Sequence, residues 1–353
     1  MRLLEKTIAA IQPLDAAAMA KARERQDNLT KPPGALGRLE EISIRLAGIQ
    51  RKAIPSVKDK AVIVMAGDHG VVAEKVGNWP QEVTAQMVAN FLHGGAGINV
   101  LARQAGARVV VVDMGVASVL PSNPKLLNRK VGPGTNNIAA GPAMTETQAI
   151  QSLETGIELI NDEIKNGLDI VGTGDMGIGN TTPSAAICAA MTGRPAAQVT
   201  GRGTGLSDEQ LAHKTAVVQK ALDVNRPDRS NPLGVLAGVG GFEIGGLAGV
   251  MLGAAANRVP VVIDGFISGA AALIAAGLIP AAREYMIAAH VSAESGHRIL
   301  LQYLGLRPLL DLEMRLGEGT GGALGMFLCE AAARTLAEMA TFGEAGVSEE
   351  SGN

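Results

Sequence analysis

Two glycine-rich segments hold the residues best suited to chemistry. In residues 172–187, GTGDMGIGNTTPSAAI, an apolar run passes into glycines, then into Asn180, Thr181, Thr182 and Pro183, and then into apolar helical text. Glycines let the backbone approach a ligand, and amides at a helix N-terminus favour an anion, so this segment predicts a phosphate site. Thr182 is placed to cap the helix and Pro183 to be its first residue. A plain tight turn before a capped helix is the alternative. In residues 312–326, LEMRLGEGTGGALGM, Glu318 stands between two glycines. Such flanks suit a carboxylate pressed against a ligand, which becomes a general base if burial raises its pKa towards neutrality. A solvated glutamate near a helix start is the competing reading.

Gly172, Gly174 and Gly177 also match the G-x-G-x-x-G pattern of dinucleotide sites. That reading requires an acidic residue about 20 positions on, and none lies between Pro183 and Leu206. Asp68, His69, Asp113 and Asp264 follow strand-like runs, where carboxylates hold ribose hydroxyls or cap the next helix. Lys214 falls on helical text, where a lone lysine is usually solvated. His69, His290 and His297 show no metal-ligand spacing, so no metal is assigned. No G-x-S-x-G element and no Walker loop occurs.

The elements that must position these residues alternate. KAVIVMAGDHGV, ARVVVVDMGV, GLDIVGTGDM and VPVVIDGF read as four strands buried on both faces. Helical text separates them at about 81–104, 145–165 and 181–193. The first fifty residues and the stretches 286–303 and 322–339 also read as helix, and the tail 343–353 as disordered. Strands alternating with helices imply an α/β fold, with a mainly parallel Rossmann-like sheet and ligands at the strands' carboxyl ends. The expected division is a small helical domain of residues 1–55 plus 325–353, and a large α/β nucleotide- and base-binding domain of residues 56–324.

Composition narrows the function. With 47% hydrophobic and 18% charged residues over 353 positions, the chain can bury a sizeable core. Its 31 basic and 34 acidic residues leave no excess to bind a nucleic-acid backbone, and 2% aromatics supply no stacking platform. Cys188 and Cys329 make no disulfide framework and read as small buried apolar groups. The uncharged run 265–282 approaches membrane-span length. Its Ala/Gly content, Pro280 and lack of aromatic or basic anchors favour a helix buried within the protein. No apolar segment with a cleavage site opens the sequence, which predicts a cytoplasmic protein with no nucleic-acid or membrane partner.

Several long motifs then resemble those of the nicotinate-nucleotide–dimethylbenzimidazole phosphoribosyltransferase family: KPPGALGRLE at 31–40, GDHGV at 67–71, GTGDMGIGNTTPSAA at 172–186, VGGFEIGGLAGVMLGAA at 239–255, VVIDGFIS at 261–268, HVSAESG at 290–296 and MRLGEGTGGAL at 314–324. The resemblance runs nearly end to end. It implies a parallel α/β sheet with a small helical domain, a homodimer, no cofactor, and transfer of phosphoribose from nicotinate mononucleotide to 5,6-dimethylbenzimidazole with inversion at C1′. It makes Glu318 the general base and puts the phosphate over Gly177, Ile178, Gly179, Asn180 and Thr181, with Gly203 beside them. Lys214 and Ser292 match positions near the nucleotide, and Asp264 is taken with them as a substrate-binding carboxylate. Trp79 to Met87 matches a base-pocket segment. Asp175 stands where the family carries the longer Glu. A nicotinamide-dependent oxidoreductase and a non-catalytic nucleotide-binding module are the competing functions.

Overall fold

The computed structural model describes residues 2–203 and 205–348. Six strands form one parallel sheet: β1 (Lys60–Gly67), β2 (Ala107–Gly115), β3 (Leu126–Asn128), β4 (Ile170–Met176), β5 (Val261–Ile263) and β6 (Met286–Ala288). Their spatial order is β3-β2-β1-β4-β5-β6. The chain winds outward from β1 to β3, crosses back, and winds outward again from β4. The order therefore reverses between β1 and β4, and that crevice is where such sheets bind ligands. The edge strands β3 and β6 are not legible in the sequence: β3 is only partly buried, and the apolar MIA of β6 runs on into helical text. For β6 this is a correction: 286–303 reads as one helix, but Met286–Ala288 pairs with β5 and the helix starts only at Ser295.

In chain order the helices are α1 (Leu3–Ala10), α2 (Ala16–Asn28), α3 (Arg38–Gln50), α4 (Val83–His93), α5 (Gly97–Ala105), α6 (Glu146–Lys165), α7 (Thr181–Thr192), α8 (Ala196–Val199), α9 (Asp208–Asn225), α10 (Pro232–Val239), α11 (Phe242–Ala256), α12 (Phe266–Leu278), α13 (Ser295–Leu304), α14 (Thr320–Glu338) and α15 (Phe342–Ala345). Every residue of β1 is buried, and the period of two sorts them between layers. Ala61, Ile63 and Met65 pack with α6, α7, α10, α11 and α12. Val62, Val64 and Ala66 pack with α3, α4, α5 and α14.

The first layer is assembled through glycines. A Cβ on Gly156 of α6 would lie 1.9 Å from the Gly246 carbonyl oxygen, so α6 and α11 touch backbone to backbone. Gly156→Ala is expected to destabilise the fold by about 3 kcal/mol, which outweighs a helix-propensity gain of about 1 kcal/mol. A urea midpoint equal to wild type would refute it. Most of the uncharged run 265–282 forms α12, buried over residues 266–275, and its end enters a two-turn 3-10 segment (Pro280–Tyr285). No helix among the described residues is long and apolar enough to cross a membrane.

Three other differences from the sequence reading have physical causes. The helical text 81–104 is two helices, because Gly94 adopts the left-handed conformation (φ 83°) and closes α4. The expected 324/325 domain boundary falls inside α14. The start of that helix packs on the sheet, while Leu336 packs with Ala22, Ile44 and Ala47 of α2 and α3. Of the tail read as disordered, Gly343–Ala345 belongs to α15, and residues 349–353 lie outside the described residues. The motif at 31–40 is structural: Lys31 and Glu40 form a buried ion pair at 2.8 Å beside α3.

Candidate active site

A cavity of about 420 Å³ lies beyond the carboxyl ends of β4, β5 and β6. Its floor is the turn from Asp175 to Thr181. Its walls come from 76–87, from Arg202, Gly203 and Leu206, from Lys214 on α9, from the loops after β5 and β6, and from 315–318. Every residue expected at the site lines it, with the exception of Asp264.

One end suits an anion. The turn 177–180 delivers the chain into α7, and the amides of Gly179 and Thr181 have no hydrogen-bond partner among the described residues. Those of Ile178 and Asn180 are already engaged, by Thr84 Oγ1 at 3.1 Å and the Gly177 carbonyl at 3.1 Å. Thr182 does not cap α7. The helix begins at Thr181, and the side chains of the turn serve the site instead: Asn180 donates to Asp175 Oδ2 at 2.9 Å, and Thr181 Oγ1 accepts from Lys214 at 2.7 Å. Lys214 is not solvated as its helical setting suggested. It is 1% exposed because α9 packs against α7 and α8, and burial pushes its ammonium down to about 8, with Glu294 opposing.

The middle of the cavity holds carboxyl groups. Gly317, Glu318 and Gly319 are successive left-handed residues (φ 80°, 63° and 94°), a conformation costly for glutamate. The carbonyl of Glu318 presses on β4 so closely that a Cβ on Gly174 would stand 2.3 Å from it. Glu318 is 5% exposed, and its Oε2 accepts the Ile98 amide at 3.0 Å, at the N-terminus of α5. Burial raises its pKa and Asp264 adds to that, against the amides of Ile98 and Gly97. Asp175 is raised well above the ordinary carboxylate range, by burial first and then by Asp264, Glu243 and Glu318, with Asn180 opposing. Both groups are thus poised to exchange protons, which a solvated carboxylate near neutral pH does poorly.

Asp264 lies behind this cluster. Its oxygens accept the Gly319 and Gly322 amides at 3.2 and 3.0 Å, and Oδ1 stands 3.6 Å from His290 Nε2. In this geometry Asp264 holds the Glu318 loop at the start of α14. Asp68 and Asp113 hold the loop after β2, through the Ala117 and Val116 amides. His69 pairs with Glu243 at 2.9 Å, both fully buried beneath Gly177.

The opposite wall is apolar, with Val76, Trp79, Val83, Met87, Met176 and Leu316. Trp79 is 54% exposed at the rim. Sequence reasoning missed Arg202, Glu294 and Arg315, which also line the cavity. Glu294 and Arg315 sit inside the quoted motifs at 290–296 and 314–324, and only the fold brings them to the anion end. Among the described residues no group of three or more His, Cys, Asp or Glu side chains is arranged to hold a metal ion.

A family model described as phosphoribosyltransferase matches residues 11–347. The nicotinate-nucleotide–dimethylbenzimidazole phosphoribosyltransferase of Roseiflexus sp. (strain RS-1) is 64% identical over 348 residues, covering 99% of each chain. The enzyme of the same name from Dehalococcoides mccartyi (strain CBDB1) is 59% identical over 349 residues, again with 99% of each covered. The crystal structure of CobT from Thermus thermophilus superposes with a TM-score of 0.92 at 51% identity, over 95% of this chain and 100% of that one.

Proposed function

The chain belongs to the nicotinate-nucleotide–dimethylbenzimidazole phosphoribosyltransferase family and is a pentosyltransferase, and from that premise we propose how its cavity performs the transfer. The donor is nicotinate mononucleotide and the acceptor 5,6-dimethylbenzimidazole. The donor phosphate takes the end formed by the Gly179 and Thr181 amides, Lys214, Gly203 and Ser292, where a helix N-terminus and a buried ammonium complement its charge. The planar acceptor takes the apolar wall of Trp79, Val83, Met87 and Met176. The ribose then lies between them, against Asp175 and Glu318.

In that arrangement one benzimidazole nitrogen attacks C1′ from the face opposite nicotinate. The C1′–N bond breaks and its electron pair goes to the pyridine nitrogen, so nicotinate leaves as a neutral ring needing no acid. Attack from that face converts the β-nucleotide into the α-product. The acceptor's other ring nitrogen loses its proton to Glu318. Charge developing on the ribose favours the adjacent carboxyl groups, and much of the rate comes from holding the two reactants aligned.

The observation that carries the reading is Glu318, a buried carboxyl held in a left-handed turn inside the cavity, with its pKa raised by burial. The direct test incubates the protein with nicotinate mononucleotide and 5,6-dimethylbenzimidazole and separates the products by chromatography. Equal amounts of nicotinate and α-ribazole 5′-phosphate are expected. Release of nicotinate without the ribazole would mean a different acceptor, and no nicotinate at all would refute the donor.

A further inference from the structure

We propose that Glu294 is a positioning residue that acts through Lys214, keeping this buried lysine charged for the donor phosphate. The inference rests on the phosphate placement above. Lys214 Nζ donates to two neutral groups, Thr181 Oγ1 at 2.7 Å and the Gly201 carbonyl at 3.4 Å. Among the described residues no carboxylate lies within ion-pair distance of it. Glu294 packs on the same Gly201, so closely that a Cβ there would stand 2.0 Å from Oε2.

Glu294 is the N-cap residue of α13, yet its side chain caps nothing and lines the cavity instead. It is 6% exposed, and Oε2 has no hydrogen-bond partner among the described residues. An unpartnered buried carboxylate oxygen is costly, and beside a phosphate it would also repel. Its use is to balance the one buried ammonium at that end. Burial drives Lys214 towards neutrality and Glu294 draws it back; reciprocally, burial raises Glu294 and Lys214 lowers it.

The surroundings supply no other carboxylate for the task. The helices α7, α8 and α10 packed on α9 contribute one titratable group, the Cys188 thiol, which burial pushes up to about 12. On α9 itself, His213 contacts the Glu74 carbonyl at 2.7 Å, and Asp208 is paired with Arg202. Facing Glu294 are Arg315 and, on α13, His297, which burial holds down to about 3 and therefore neutral.

The test measures nicotinate mononucleotide affinity by calorimetry from about pH 6.5 to about pH 9.5, with the phosphate's own ionisation near about pH 6 taken into account at the acid end. Wild-type affinity is expected to fall as the pH passes about 8, where Lys214 loses its proton. In Glu294→Gln that fall should begin at lower pH, so that affinity near pH 8 is weaker than in the wild type while affinity near about pH 6.5 is closer to it. Glu294→Asp keeps the charge and should keep the wild-type profile. Lys214→Arg, whose guanidinium does not titrate here, should flatten the profile with or without Glu294→Gln. A packing role alone would weaken Glu294→Gln equally at every pH, and that result, or a wild-type profile without an alkaline fall, overturns the proposal. Unchanged affinity in Lys214→Met at every pH would instead refute the phosphate placement itself.

Discussion

Glu318→Gln is expected to lower kcat by at least about 100-fold while nicotinate mononucleotide binds as in the wild type. The amide has the size of the carboxyl and can still accept the Ile98 N–H, which is 3.0 Å from Oε2. The left-handed turn and its glycine flanks are untouched. Under the proposed mechanism, what the variant lacks is a site for the acceptor's proton. In the wild type that site is poised by burial, reinforced by repulsion from Asp264 and opposed by the α5 amides. The net shift is upward, so the acid limb of kcat/KM is expected above the ordinary glutamate value of 4.5, and that limb disappears in the variant. Turnover within a few-fold of wild type would remove Glu318 from the proton transfer. Loss of nucleotide binding alongside turnover would mean that the substitution had disturbed the loop rather than the base.

A larger effect on stability is expected at the pair beneath the anion turn. His69 Nε2 lies 2.9 Å from Glu243 Oε1, and both side chains are essentially inaccessible to water. They are wedged among Gly67, Gly177 and Gly241, where a Cβ would come within about 3 Å of one or the other. Burial alone would depress the imidazolium, but Glu243, helped by Asp68, reverses this and raises its pKa above 6.5. His69→Ala strands the Glu243 carboxylate without a partner and should cost about 3–5 kcal/mol by urea unfolding at neutral pH. The double variant His69→Leu/Glu243→Met removes both charges and should cost less than either charge-stranding single change. Losses that simply add in the double variant would refute a coupled ion pair. The sign with pH follows from the raised histidine. The pair's contribution is fully present below about pH 6.5, the unfolded value, and is lost as pH rises through the higher folded value.

How far the sequence could be read depended on the range of the forces involved. Strands β1, β4 and β5 were legible because burial on both faces writes a continuous apolar run, such as AVIVMA in β1, and β2 because its four valines lead into a half that is buried from Val111 on. The anion turn was legible because glycines followed by Asn180 and Thr181 encode local backbone geometry. The break at Gly94 was not. One glycine in helical text is tolerated as often as it ends a helix, and here the break matters, because it aims the start of α5 at Glu318. Strands β3 and β6 were invisible because they are edge strands without a distinct apolar run of their own: β3 is only partly buried and β6 continues into helical text, whereas the equally short β5 sits inside the sheet.

The sequence by itself determined the α/β class, the parallel sheet, the glycine turn into α7 and the motif that holds Glu318, since each is written in neighbouring residues or in long motifs. Tertiary structure alone decided what surrounds those groups. It set Asp264 against the amides of Gly319 and Gly322, buried Lys214, which sat in ordinary helical text, and packed Glu294 on Gly201, whose carbonyl accepts from that lysine. These outcomes depend on desolvation and on charges brought together from distant segments of the chain, and no local pattern records either.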